Sequence, residues 1–243
     1  MASITRRELL KSAALLPAAA AVATTVPITL VPRTMPSAGG RPPDYTAPAQ
    51  GFLNADEKAF VESAVARIIP TDDLGPGARE AHVADFIDRQ LAGPYGAAET
   101  WYMQGPWQAG TEQQGYQLRL APAQLYRAAI SAIDTHLSTS GDKRVFAHLD
   151  AKSQDDFLHA LEKGDVKVSG DLGKEFFDIL VENTVEGFLA DPIYGGNRDF
   201  IGWKLIGFPG PRYNYVAQIG EFGRKYDMPY VSIAGRDAGI REA

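Results

Sequence analysis

The sequence predicts a mainly α-helical protein: a single, loop-rich domain of about five helices that ends in an extended tail. Two observations carry this. Apolar residues recur at helical spacing in separate runs along the middle of the chain. No stretch alternates apolar and polar residues between turn signals, as a half-buried strand would. There is no internal repeat.

The elements follow in order. A first helix is expected over 54 to 69. Asn54 and Glu57 make a capping pair, Phe60, Val61, Ala64, Val65 and Ile68 share one face, and Pro70 stops the run. Thr71 to Gly77 reads as a loop. A second helix is expected from about Glu80 to Leu91, burying Val83, Phe86, Ile87 and Leu91. A third runs from about Pro122 to Leu137. Pro122 suits its first turn, where a missing N–H costs nothing, and Leu125, Ala129, Ile133 and Leu137 lie on one side. The fourth spans Ser153 to Lys163, with Ser153 and Asp156 as its cap and Gly164 as its stop. The fifth spans Leu172 to Leu189 and carries Phe176, Phe177, Leu180, Thr184 and Phe188. Val166 to Val168 makes at most a short strand. The tail, 216 to 243, has no helical periodicity and is expected to lie extended over a surface.

Ahead of this domain (52 to 215) stand two segments of different character. Thr5-Arg6-Arg7-Glu8-Leu9-Leu10-Lys11 is followed by an uncharged, alanine-rich run from Ser12 to Val31. Paired arginines before a weakly apolar stretch have the form of a twin-arginine export signal, covering residues 1 to 31. Ala-x-Ala sites at 19–21 and 21–23 suit cleavage. A retained anchor is the alternative, since the run is nearly long enough to cross a bilayer; Pro17, Pro27 and the low transfer energy of Ala and Thr favour the signal. Residues 32 to 51, rich in Pro, Gly and Ala, read as a flexible linker.

Composition excludes several functions. The net charge is −6, and removing Arg6, Arg7, Lys11 and Glu8, a net +2, leaves −8 for the rest. An acidic domain without basic clusters does not fit nucleic acid. There is no cysteine, so the chain holds no thiolate-ligated iron–sulfur cluster and no thioether-attached haem.

Two aromatic, glycine-rich segments stand out. One is Gly93-Pro-Tyr-Gly96 with Trp101-Tyr-Met-Gln-Gly-Pro-Trp107 and Gly115-Tyr-Gln-Leu118. The other runs from Glu186 to Gly210, through Tyr194-Gly-Gly-Asn-Arg198 and Trp203 to Phe208. Large rings on a backbone fixed by Pro and Gly suit a rigid protein-facing surface. The candidate partner-facing residues are therefore Trp101, Tyr102, Trp107, Tyr194, Arg198, Trp203 and Phe208. The competing use for each ring is to fill the core between helices. Gly195 to Arg198 also has the composition of an anion cradle, though it lacks the lysine and spacing of a P-loop. Asp191 and Asp199 flank it and are placed to hold Arg198.

No catalytic constellation emerges. His82, His136, His148 and His159 show no metal-ligand spacing and read as solvated or capping residues, and there is no Gly-x-Ser-x-Gly elbow. Asp72-Asp73 and Asp155-Asp156 sit where capping explains them. Spacing alone assigns no catalytic, cofactor-binding or metal-binding residue.

The longer words carry a resemblance. Trp101–Trp107, Gly115–Leu118 and Glu186–Arg198, together with Phe60–Leu74, Phe86–Gly96 and Gly202–Gly210, resemble the gluconate 2-dehydrogenase small subunit (gamma, subunit 3) family over about Phe52 to Tyr215. The resemblance implies a place in an exported complex. Its large subunit carries FAD, with or without an iron–sulfur cluster, and oxidises gluconate to 2-dehydrogluconate. A multihaem cytochrome c subunit carries haem c, passes electrons to the quinone pool and holds the assembly on the periplasmic face of the inner membrane. The small subunit has no assigned catalytic residues. It supports folding of the flavin subunit and leads it through the twin-arginine translocase. The Trp101–Trp107 segment favours the sugar-acid branch, gluconate or 2-ketogluconate, over the shorter relatives paired with glucose, fructose or sorbitol dehydrogenases. Two further readings stand beside this one: a stand-alone sugar-acid-binding protein using Gly195–Arg198, and a membrane-anchored scaffold.

Overall fold

Asn54 and Glu57 close the start of the first helix as their spacing predicts. Asn54 Oδ1 accepts from the Glu57 amide and Glu57 Oε2 from the Asn54 amide, both at 2.9 Å, so two first-turn donors are satisfied reciprocally. In the computed structural model this is helix α1 (Ala55–Ile68). The structure describes residues 51–108, 110–140, 144–169, 172–212, 214–224 and 228–234. Arg6, Arg7, the signal segment 1–31 and the linker up to residue 50 lie outside them.

Five more helices follow among the described residues: α2 (Val83–Ala92), α3 (Pro122–Thr139), α4 (Ala151–Glu162), α5 (Leu172–Leu189) and α6 (Ile201–Ile206). The fold class is the expected one, and α5 has the expected bounds. Helix α2 starts later than expected because His82 takes a left-handed conformation, φ 56° and ψ 37°, which ends any helix arriving from Glu80. Glu80 instead braces the preceding loop, accepting from Thr71 Oγ1 at 2.7 Å and from the Gly77 amide at 2.9 Å. Helix α4 starts two residues early, and its cap is Asp150, which accepts from the amide of Ser153 at 3.0 Å and from its hydroxyl at 2.7 Å. Ser153 is therefore a donor inside the first turn, and Asp156 pairs with Lys152. Helix α6 was not expected. It is six residues long, and tertiary contact rather than propensity holds it. Val166 to Val168 forms no strand; Val168 is buried against the core.

Helix α5 is the axis of the domain. It packs against α1, α2, α3, α4 and α6, so its buried positions, Phe176, Ile179, Leu180, Asn183, Thr184, Gly187 and Phe188, run around much of its circumference. Phe60 of α1 sits 4.6 Å from Phe146 and 5.9 Å from Phe176, and Tyr126 of α3 meets Phe176 edge-on at 5.1 Å. Each such ring contributes about 1.5–3 kcal/mol by burial. Inside this apolar mass Asn183 accepts from Tyr95 Oη at 3.0 Å and donates to Tyr126 Oη at 2.9 Å. The network fixes the first aromatic segment against α5. Burial pushes the Tyr95 hydroxyl up to about 12, so it stays a neutral donor.

The tail does not simply lie extended. Val216–Gln218 makes a single 3-10 turn, and the chain then doubles back: Val231 N donates to Pro209 O at 3.1 Å and Arg212 to Pro229 O. Tyr230 stacks on Phe200 at 5.9 Å.

Candidate partner interface at the end of α5

The segment from Glu186 to Gly210 owes its composition first to packing. At Gly187 a Cβ would come within 2.7 Å of Phe86 Cδ1, and at Gly202 within 1.9 Å of Phe188 O. At Gly196 it would meet Gly187 O at 2.2 Å. Glycine is the residue that lets α2, α5, the 195–196 turn and α6 approach so closely. Asn197 then locks the corner. It is fully buried, with Nδ2 donating to Ala190 O at 2.7 Å and Oδ1 accepting from Gly202 N at 2.8 Å. Its φ of 48° is one that Asn tolerates better than most residues.

Arg198 is held by backbone and side chain together. Its amide donates to Ala81 O at 3.1 Å, and Nη1 lies 3.2 Å from His82 Nε2. A guanidinium only donates, so His82 Nε2 accepts and the ring proton sits on Nδ1, which donates to Asp85 Oδ2 at 2.9 Å. Lys58 Nζ donates to the other oxygen, Asp85 Oδ1, at 2.7 Å. Burial pushes the Asp85 carboxyl up, but the hydrogen bonds from Lys58 and His82 outweigh it and leave it below its ordinary value. Lys58 is raised, chiefly by its bond to Asp85. This Lys58–Asp85–His82–Arg198 chain stitches α1 and α2 to the 198 turn. Because Arg198 engages Nε2, His82 is arranged as a structural link and not as a general base.

Neither carboxylate expected to hold Arg198 is bonded to it among the described residues, and Asp191 does other work. Asp191 caps the 3-10 turn Pro192–Tyr194, accepting from Ile193 N at 3.0 Å, and its second oxygen accepts from Ile233 N at 2.8 Å. The 195–198 turn is thus an architectural corner.

The seven candidate partner-facing residues divide. Trp203 takes the competing use, core filling: it is 4% exposed, donates Nε1 to Leu189 O at 2.7 Å, and packs between Phe200 at 5.5 Å and Phe208 at 5.0 Å. It anchors α6 to α5 and presents no surface. Trp101 is half-buried between Tyr95 and Tyr116, with ring centroids at 5.9 and 5.2 Å. Trp107 is half-buried under the Arg119 guanidinium at 5.7 Å. Arg198 is half-buried in the network above. Tyr102, at 82% exposed, Tyr194 and Phe208 reach solvent. The fold gathers Tyr194, Arg198, Trp203 and Phe208 around the end of α5 and α6.

Next to Tyr194 lies a feature the sequence did not announce. An open cleft of about 480 Å³ separates the C-terminal ends of α2 and α5. Phe86, Leu189, Ala190 and Tyr194 give it apolar walls, and Gln90 and Glu186 supply polar groups. Burial, with the like charge of Glu182, pushes the Glu186 carboxyl up. The available signal was the i, i+4 pair Glu182 and Glu186, a spacing that brings like charges together on one helix face. Such a wall repels a sugar-acid anion or a phosphate.

Among the described residues no group of three or more His, Asp or Glu side chains is arranged to hold a metal ion. No described helix is long and apolar enough to cross a membrane. No curated protein and no solved structure matches the chain. The family model of gluconate 2-dehydrogenase subunit 3 matches residues 55–210, a stretch that takes in all six helices and both aromatic segments. The chain therefore belongs to the gluconate 2-dehydrogenase subunit 3 family.

Proposed function

We propose that this chain is the non-catalytic small subunit of an exported, FAD-dependent sugar-acid dehydrogenase, with gluconate as the favoured substrate of the complex. Its work is to support the folding and stability of the flavin subunit and to lead it through the twin-arginine translocase to the periplasmic face of the inner membrane. The observation that carries this reading is the family match over 55–210. Two features of the chain support it. The polar groups in and around the 195–198 turn, His82, Asp191, Asn197 and Arg198, are committed to the backbone and to neighbouring side chains. The flavin is assigned to the large subunit, as the family resemblance implies. Haem c belongs to the cytochrome subunit, since this chain has no cysteine to attach it.

The test is export of the partner. With Arg6 and Arg7 both changed to lysine, the flavin subunit of the proposed complex is expected to remain in the cytoplasm. Its appearance in the periplasm at the unaltered level would overturn the escort role. The sugar-acid-receptor alternative predicts heat on titrating gluconate into the isolated chain; a flat calorimetric trace is expected.

A further inference from the structure

The cleft at the end of α5 has a specific chemistry that packing does not explain. Its walls are apolar, from Phe86, Leu189, Ala190 and Tyr194, and the groove is open along one side. A small ligand seated there would stay largely solvated, whereas built small-molecule sites enclose most of their ligand. A segment of another protein would cover the groove completely.

The polar groups say what that segment carries. Asp191 spends both oxygens inside the chain, on Ile193 and Ile233. Glu186 does not: among the described residues it makes no ion pair, and the one charge acting on it, Glu182, is of the same sign. A carboxylate at the cleft's rim beside a like charge one helical turn away weakens the isolated chain. A cation seated in the groove reverses that. Gln90, on the opposite wall, offers an amide that donates to or accepts from a passing backbone.

We propose that this cleft is the docking groove for an arginine or lysine carried on an apolar segment of the flavin subunit, with Glu186 as its counter-ion. This rests on the chain's reading as the small subunit of a dehydrogenase complex. Charge complementarity chooses the occupant: the groove accepts a basic side chain with apolar neighbours and refuses an anionic ligand.

The test uses the full chain, tagged and co-expressed with the flavin subunit of the proposed complex, and scores flavin subunit retained across a sodium chloride series. Glu186→Lys is expected to cut retention about tenfold or more at moderate salt, and Glu186→Gln to lower it less and flatten the salt dependence. Asp178→Asn, on an exposed turn of α5 where Asp178 pairs with Lys174, is expected to leave it unchanged. Thermal melts of the isolated variants check the fold; if Glu186→Lys does not fold, Glu186→Gln decides. Wild-type retention in both Glu186 variants overturns the proposal while leaving the small-subunit reading intact. If the wild-type chain itself retains no flavin subunit, that reading fails and the docking proposal with it. If light scattering shows the isolated chain to be a dimer that Glu186→Lys dissociates, the occupant is a second copy and the proposal is overturned.

Discussion

The amide of Ile233 donates to Asp191 Oδ2 at 2.8 Å across 42 positions of chain. The same carboxylate accepts from Ile193 N at 3.0 Å, so one side chain both starts the turn after α5 and ties down the end of the described tail. Asp191 is 8% exposed, and its loss strands two donors at a covered site.

Asp191→Ala is therefore expected to cost about 2 kcal/mol, the scale of a charge-assisted hydrogen bond with its partner left unsatisfied. It should also free the tail. Limited trypsinolysis is expected to cut after Arg224 faster than in the wild-type chain, with α5 still protected. Equal cleavage rates would show that the Phe200–Tyr230 stack and the Val231–Pro209 bond hold the tail without Asp191.

Asn197→Ala is expected to be more damaging. It removes both bonds that join Ala190 to Gly202 in a site with no solvent access, and places alanine at φ 48°. Two stranded buried groups and a left-handed alanine together cost about 3–5 kcal/mol. Urea denaturation measures this directly. A loss under about 1 kcal/mol would mean that water takes over the corner.

Trp203→Ala and Tyr102→Ala separate core from surface. Trp203 gives up a buried ring and its bond to Leu189 O, for an expected loss of about 3–5 kcal/mol. Tyr102, 82% exposed, should shift stability by less than about 0.5 kcal/mol. If Tyr102 contacts the flavin subunit, its removal lowers co-purification with the melting temperature unchanged. A normal yield from a normally folded Tyr102→Ala removes it from the interface.

These contrasts show where sequence was sufficient. The Asn54–Glu57 box and the bounds of α5 were legible because both are local: a cap is set within four residues, and the apolar spacing of α5 persists for five turns. The start of α2 was not. His82 turns left-handed while its ring bridges Asp85 and Arg198, and Arg198 lies 116 positions away. Helix α6 was hidden for a similar reason. Its Gly202 weakens helix propensity yet is required where the backbone of α6 crosses Phe188 O. The sequence leaves Trp203 open between surface and core because a glycine-rich, aromatic segment fixes a ring's rigidity but not the side from which it is covered. The cleft was illegible because two of its walls come from α2 and α5, which are separated in sequence by two other helices.

Glu186 gives the last prediction, and its sign is opposite to that of Asp85. Burial, then Glu182, raises its folded-state pKa above the ordinary glutamate value. The folded chain thus binds this proton more readily than the unfolded chain does. The stabilising contribution of Glu186 is full below the unfolded pKa and is lost as pH rises through the raised folded one. Asp85 runs the other way: its carboxyl is held low, so its contribution is present above the ordinary aspartate value and lost as pH falls through the folded one. Glu186→Gln should therefore stabilise the isolated chain at neutral pH and remove one source of added stability as the medium is acidified toward the ordinary glutamate range. Asp85→Asn should instead flatten the acid limb of the curve. Urea midpoints from about pH 8 down to below the ordinary aspartate value distinguish the two. A Glu186→Gln chain that is less stable than wild type at neutral pH would mean that the carboxylate is already paired in the free subunit. A more stable chain that binds its partner less well is the signature of a group kept at a cost to folding for the sake of association.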